Sequence, residues 1–250
     1  MKAHGRWPIR IAHRGGNSGS LLREALAAGV DWIEADIRLH YGRLVARHDR
    51  SIWRLPITYS RRSVALHLAP AIVLDTLLDA TQATPTRVLI DLKGGHARLP
   101  DALIRVLRSH DAFDHVALCG QEWALLDRAG ALDPRVEVIY SLGTPAHLYR
   151  YLARRRDGAA PPTTSCFHGL LTPARVAALK DAGSTIIAWT VDAEERAHQL
   201  LEWGVDGITS NRLGLLGRLR PGSRESENER RLRAERQDAG CFTITRQGAS

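Results

Sequence analysis

Residues 32–37 read Trp-Ile-Glu-Ala-Asp-Ile, a short apolar strand interrupted by two carboxylates two residues apart. Successive side chains of a strand point to opposite faces, so Glu34 and Asp36 share one face and repel each other. Solvent, a basic residue or a bound cation has to relieve that repulsion. Asp91 and Lys93 repeat the spacing in Arg-Val-Leu-Ile-Asp-Leu-Lys at 87–93. His13 and Arg14 close another strand-like run at 8–13, and His48 follows a short run at 42–47. Acidic, basic and imidazole groups in these numbers suit proton transfer and the handling of charged oxygens.

Eight candidate strands carry or separate these residues, at 8–13, 32–39, 87–93, 115–120, 137–141, 164–169, 184–191 and 206–210. Between them lie segments such as Leu-Pro-Asp-Ala-Leu-Ile-Arg-Val-Leu, with apolar residues three and four apart and frequently a closing Gly. Regular strand-helix alternation implies parallel strands joined by crossover helices, and eight units fit a closed (β/α)8 TIM barrel better than an open sheet. Catalytic side chains of such a barrel sit at the C-terminal ends of its strands, and each group above passes that test. Glu34 and Asp36 would otherwise occupy inward positions that are normally branched and apolar. One irregularity follows the second strand: a short extra strand, an Arg-rich loop at 50–62, and then a helix beginning Leu-Asp-Thr-Leu-Leu. The barrel is expected over residues 7–217. Residues 218–250 lack a sustained apolar face and are expected to form a short, flexible basic-acidic tail, with a helical stretch around 225–237.

The 250 residues, 44% hydrophobic and 25% charged, suffice for one sizeable core. No apolar run approaches the ~20 residues that span a bilayer, and the first 16 residues lack the apolar stretch of a signal peptide, so a cytoplasmic protein is expected. Cys119, Cys166 and Cys241 are odd in number and widely spaced, which excludes a disulfide framework and a zinc-type pairing. The net charge of +8 suits an anionic partner. Basic residues are not interleaved with aromatics as in single-strand binders, and no nucleic acid is expected.

The blocks Ala-His-Arg-Gly-Gly at 12–16, Glu-Ala-Asp at 34–36, Gly-Arg-Leu-Val-Ala-Arg-His-Asp at 42–49, Asp-Leu-Lys at 91–93, Ala-Trp-Thr-Val-Asp at 188–192 and Gly-Val-Asp-Gly-Ile-Thr-Ser-Asn at 204–211 together resemble the glycerophosphodiester phosphodiesterase family, of the phospholipase-C-like TIM-barrel superfamily. The resemblance spans roughly residues 9–215 in order. It implies a metal-dependent hydrolase of lipid metabolism that converts glycerophosphodiesters to glycerol 3-phosphate and an alcohol. Matched residue by residue, it implies Glu34, Asp36 and Asp91 as ligands of one divalent cation, His13 and His48 as the acid-base pair, and Arg14 and Lys93 as phosphate clamps. Hard oxygen ligands suit Mg2+ or Ca2+, and such a cation would relieve the Glu34–Asp36 repulsion. Trp189 is a candidate wall for glycerol or a lipid stem. A neighbouring hydroxyl of the substrate could attack first, giving a cyclic phosphate that water opens.

Two departures bear on the substrate. Asn-Ser-Gly-Ser at 17–20 stands where the family usually has Pro-Glu-Asn-Thr, and Asp91-Leu92-Lys93 stands where it usually has Glu-x-Lys. Sphingomyelinase D-like phospholipases on the same barrel share both features, so removal of a lysophospholipid or sphingomyelin head group is the alternative reaction, with peripheral membrane contact as its corollary. A catalytically silent module holding phosphate esters through Arg14 and Lys93 is a third reading; two titrating imidazoles speak against it. His168 is a lesser candidate for the mouth. Head group, physiological cation and oligomeric state stay open.

Overall fold

The computed structural model describes residues 8–48, 50–51, 57–59, 64–66 and 71–219. Twelve strands and eight α-helices follow one another as β1 (Ile9–Ala12), α1 (Gly19–Ala27), β2 (Trp32–His40), β3 (Arg43–Ala46), β4 (Arg50–Ser51), β5 (Ile57–Tyr59), β6 (Val64–Leu66), α2 (Leu74–Gln82), β7 (Arg87–Leu92), α3 (Leu99–Ser109), β8 (Val116–Gly120), α4 (Trp123–Leu132), β9 (Glu137–Leu142), α5 (Pro145–Arg156), β10 (Thr163–Phe167), α6 (Pro173–Asp181), β11 (Thr185–Trp189), α7 (Glu194–Glu202), β12 (Gly207–Ser210) and α8 (Leu213–Arg218). Eight of the strands pair in parallel in the order β1, β2, β7, β8, β9, β10, β11, β12, and β12 returns to β1. The sheet is therefore a closed (β/α)8 barrel, with one helix after each barrel strand.

Strand alternation sorts the side chains into two cores. Ile33, Ala35, Ile37, Val88 and Ile90 point outward and pack with Leu77, Leu103 and other helix residues. Ile11, Trp32, Leu89, Ala117, Ile139 and Ile187 point inward and plug the barrel. Two residues further along the same strands the inward positions become polar, and that change of chemistry marks the mouth.

Three local features shape the mouth. β3 folds back antiparallel on β2, pairing Ile37 with Ala46 and His40 with Arg43, and so delivers His48 to the barrel rim. The Arg-rich segment expected as a loop instead carries β4 and β5, which with β6 just after it form a small antiparallel sheet separate from the barrel. Ser18 caps α1 by accepting a hydrogen bond from the Leu21 amide at 3.3 Å, a contact worth about 1 kcal/mol. Asn-Ser-Gly-Ser thus starts the first helix although it lacks the Pro-Glu-Asn-Thr residues. α8 extends the barrel by one residue beyond the expected boundary, and the tail from residue 220 onward lies outside the described residues. Among the described residues, no helix is long and apolar enough to cross a membrane.

Candidate active site

A cavity of about 250 Å³ opens at the C-terminal end of the barrel, and His13, Arg14, Glu34, His48, Asp91, Lys93 and Trp189 all line it. Asp36 is not a lining residue; only 1% exposed, it sits behind the others. The parallel pairing of β2 with β7 sets Asp36 directly opposite Asp91. One oxygen from each of Glu34, Asp36 and Asp91 lies within 4.8 Å of the other two. All eight residues singled out in the sequence therefore gather at one end of the barrel. His168 does not join them: it opens a short 3-10 turn after β10 and is absent from the cavity wall.

The His13-Arg14-Gly15-Gly16 segment is folded tightly onto β2. Arg14 adopts a left-handed backbone at φ 56° and donates its amide to Glu34 Oε2 at 2.6 Å, a charge-assisted bond that offsets the cost of this conformation. A Cβ at Gly16 would stand 2.7 Å from that of Ala35, so glycine permits the close approach. The Gly16 amide donates to the Glu34 carbonyl at 2.9 Å. Asn17 and Asp36 clasp each other: Asn17 Nδ2 donates to Asp36 Oδ2 at 2.7 Å, and the Asp36 amide donates to Asn17 Oδ1 at 2.9 Å. His48 is anchored through its carbonyl, which accepts from Arg38 Nη2 at 2.8 Å.

Charge is unevenly shared among the three carboxylates. Lys93 Nζ lies 2.5 Å from Asp91 Oδ2 and 3.2 Å from Asp36 Oδ1, and Arg14 Nε is 3.5 Å from Asp36 Oδ2. Burial pushes the Asp36 carboxyl up, but Lys93, Asn17, His48 and Arg14 together hold it below the ordinary range. Burial outweighs Lys93 at Asp91, whose carboxyl is raised. Glu34 is raised furthest, by burial and then by the charges of Asp36 and Asp91. Burial opposes the charge on Lys93, yet Asp91 and Asp36 hold its ammonium above the usual range. The donor set is three hard oxygen ligands with surplus negative charge at Glu34, which fits a hard divalent cation.

Asn211 and Asp192 are functional candidates whose roles sequence reasoning missed, although both lie in the quoted blocks. Asp192 Oδ2 accepts from Asn211 Nδ2 at 2.7 Å, and Asp192 Oδ1 accepts from the Asn211 amide at 2.9 Å and from Ser210 Oγ at 2.8 Å. Asn211 Oδ1 is 2.8 Å from His13 Nδ1. A carboxylate only accepts, so Asp192 fixes the Asn211 amide with its oxygen toward the imidazole. The hydrogen of neutral His13 then sits on Nδ1, and Nε2, 4.0 Å from Glu34 Oε2, keeps its lone pair. Burial, reinforced by Arg14 and Lys93 against the Asn211 hydrogen bond and Asp36, lowers the His13 pKa and favours that neutral form. The remaining wall is uncharged: Cys119, Gln121, Ser141, Ser165 and Thr209. Among the described residues, the buried Trp189 Nε1 and Thr209 Oγ1 have no hydrogen-bond partner.

Comparison with known proteins adds to this geometry. The sequence model of the glycerophosphoryl diester phosphodiesterase family matches residues 101–215. A Mycobacterium tuberculosis protein named "Probable glycerophosphodiester phosphodiesterase 2" is 31% identical in an alignment that covers 83% of this chain and 89% of that protein. The crystal structure of a glycerophosphodiester phosphodiesterase from Thermotoga maritima superposes with a TM-score of 0.70 at 18% identity, covering 87% of this chain and 100% of that one. An Oleispira antarctica phosphodiesterase in complex with the product sn-glycerol-3-phosphate superposes with a TM-score of 0.67 at 20% identity, covering 82% and 93%. At those identities the two structures establish the shared barrel, while the mycobacterial relative carries the likeness in sequence.

Proposed function

The chain belongs to the glycerophosphodiester phosphodiesterase family, and from that premise we propose that it hydrolyses glycerophosphodiesters to glycerol 3-phosphate and an alcohol in the cavity at the β1, β2 and β7 strand ends. One observation carries the reading: three carboxylates from adjacent strands converge beside two cations and two imidazoles. Glu34, Asp36 and Asp91 would hold one divalent cation, Mg2+ or Ca2+. Asp91 is a methylene shorter than the family's usual Glu, yet its place opposite Asp36 keeps it within reach of the group. When bound, such a cation polarises a phosphoryl oxygen and neutralises part of its charge.

The chain's own side chains supply the rest. Lys93 and the Arg14 guanidinium take phosphoryl oxygens, and their positive charge favours the crowded negative charge of the transition state. Neutral His13, with Nδ1 tied to Asn211, accepts at Nε2 the proton of the attacking oxygen, which is water or a neighbouring hydroxyl of the glycerol. His48, on the same cavity wall, protonates the leaving alcohol oxygen as its bond to phosphorus breaks. Trp189 walls the glycerol half. Residues 7–217 would form the catalytic domain and 218–250 an appendage, in a cytoplasmic protein of lipid metabolism; a chain ending at residue 219 should retain turnover.

The test is product identification after incubation with glycerophosphocholine, glycerophosphoethanolamine and lysophosphatidylcholine, with Mg2+, with Ca2+ and with EDTA. Glycerol 3-phosphate from the water-soluble diesters, lost in EDTA, is the expected result. Choline or a cyclic lysophosphatidate from the lipid alone would replace this reading with the sphingomyelinase D-like one, which the Asp91-Leu92-Lys93 motif favours. Affinity for phosphate esters without any turnover would leave a binding module.

A further inference from the structure

Beside the catalytic cavity lies a larger concavity that no residue of the catalytic set lines. It forms where the turn between β2 and β3 faces α3. One part, of about 530 Å³, is bounded by His40, His96, Arg98 and Arg105; a second, of about 280 Å³, shares Gly42, Ala102 and Arg105 with it and adds Arg43. Together they make a groove of the size that small ligands occupy.

Its lining carries a positive excess, three arginines against Asp75. Among the described residues, Arg43, Arg98 and Arg105 enter no ion pair and no side-chain hydrogen bond. Several other surface arginines are paired: Arg87 meets Glu137, Arg108 meets Asp133, Arg128 meets Asp101 and Arg154 meets Asp127, although Arg23 and Arg156, which line no part of the groove, are also without an ion pair among the described residues. The acids at the groove, Asp75 on its lining and Asp101 beside Arg105, each also have another partner. Asp101, one turn before Arg105, accepts two hydrogen bonds of 2.9 Å from Arg128, and Asp75 lies 3.3 Å from His110 Nε2. Three guanidinium groups around one hollow, with the imidazoles of His40 and His96, match the forked geometry by which arginine holds phosphate oxygens. With three guanidinium groups against the Asp75 carboxylate on the lining, and Asp101 beside Arg105, the groove keeps a positive excess that a dianion would neutralise.

The groove and the catalytic cavity are built on the same elements. His40 lies four residues beyond Asp36 on β2, or ~13 Å at ~3.3 Å per residue, and His96 lies three residues beyond Lys93. The catalytic cavity, at about 250 Å³, is under half the volume of the groove's larger part. We propose that the groove is a second anion site for a phosphate monoester group, supplied by an additional phosphate on the alcohol half of the substrate. The identity of that source rests on the function proposed above; the site itself does not.

The test titrates the full chain, in EDTA, with inositol 1,4,5-trisphosphate as the soluble probe and with phosphatidylcholine vesicles containing phosphatidic acid. Each is repeated on the double variant Arg98→Gln, Arg105→Gln. The soluble probe should bind the parent and lose at least about tenfold in affinity in the variant, as expected for two lost charge-assisted contacts. Turnover of glycerophosphocholine, which lacks the extra phosphate, should be unchanged by the two substitutions, so a loss there would overturn the separateness of the groove. Binding of neither probe, or equal binding of the soluble probe by both proteins, would overturn the site. Vesicle binding alone, abolished in the variant, would keep the phosphate site and overturn the substrate as its source. Because the titration needs no turnover, an inactive chain that still binds through Arg98 and Arg105 would overturn the proposed hydrolysis and leave the groove standing.

Discussion

On the β1, β2 and β7 side of the barrel mouth stand His13, Arg14, Glu34, Asp36, Asp91 and Lys93; on the β8 to β12 side stand Cys119, Ser141, Ser165, Trp189 and Thr209. Both walls stand at the C-terminal ends of parallel strands, above a common apolar plug. The first wall concentrates charge that would be costly to bury unpaired, and holds it with Lys93, the Arg14 amide and Asn17. The second wall has no formal charge. The contrast supports placing the proposed phosphoryl chemistry on three neighbouring strands, with the opposite strands giving the cavity shape and uncharged hydrogen-bonding groups.

Substitutions on the charged wall should break that division most severely. His13→Ala and His48→Ala should each lower turnover by ~10²–10⁴, the usual contribution of a general acid or base, with circular dichroism and unfolding temperature unchanged. A near-normal rate in either would remove that histidine from the mechanism. Asn211→Ala should act through His13: kcat falls by about ten- to hundredfold, the scale seen when an orienting partner of a functional histidine is lost, while KM moves little. A change confined to KM would instead make Asn211 a substrate contact.

Glu34→Gln should separate function from stability. The raised Glu34 pKa means that the folded chain holds a proton which the unfolded chain releases near pH ~4.3. Without a divalent cation, the Glu34 contribution to stability is therefore fullest below that pH and declines as pH rises toward the folded value. Gln removes the penalty and still accepts from the Arg14 amide, so in EDTA at neutral pH the variant should unfold at a higher temperature than the parent while its turnover is lost. An unchanged or lower unfolding temperature would contradict the excess of negative charge. Cys119→Ala marks the other end of the scale. Burial, then Asp91 and Glu34, push the Cys119 thiol well above its ordinary pKa, which keeps it protonated and poorly nucleophilic. Steady-state rates should change by less than about twofold, as for a group with no part in the chemistry.

The barrel was legible because its signals are local. Strand alternation around Glu34 and Asp36 and the repeat at Asp91 and Lys93 specify which residues face inward, and the observed strands lie within two residues of those expected. What could not be read links residues far apart in sequence. His13 meets Asn211 across 198 positions, and Asn17 meets Asp36 only after the Arg14 backbone has turned left-handed. The blocks containing Asp192 and Asn211 were visible, but an Asn at a strand end carries no sign of the imidazole it will orient. Residues 50–62 carry Arg at several positions, and that composition concealed the short strands β4 and β5, which β6 then joins. The groove at Arg98 and Arg105 was equally hidden, because helical spacing does not reveal which guanidinium groups will lack a carboxylate.

The decisive measurement is anomalous diffraction from a crystal of the full chain soaked in Mn2+, a hard-cation substitute with oxygen-ligand preferences close to those of Mg2+. A single strong peak within coordination distance of Glu34, Asp36 and Asp91, absent from an Asp36→Asn crystal, is the predicted result. A mouth without a peak, or a peak held by other residues while these three carboxylates stay tied to Lys93 and Asn17, would contradict the claim that they share one ion.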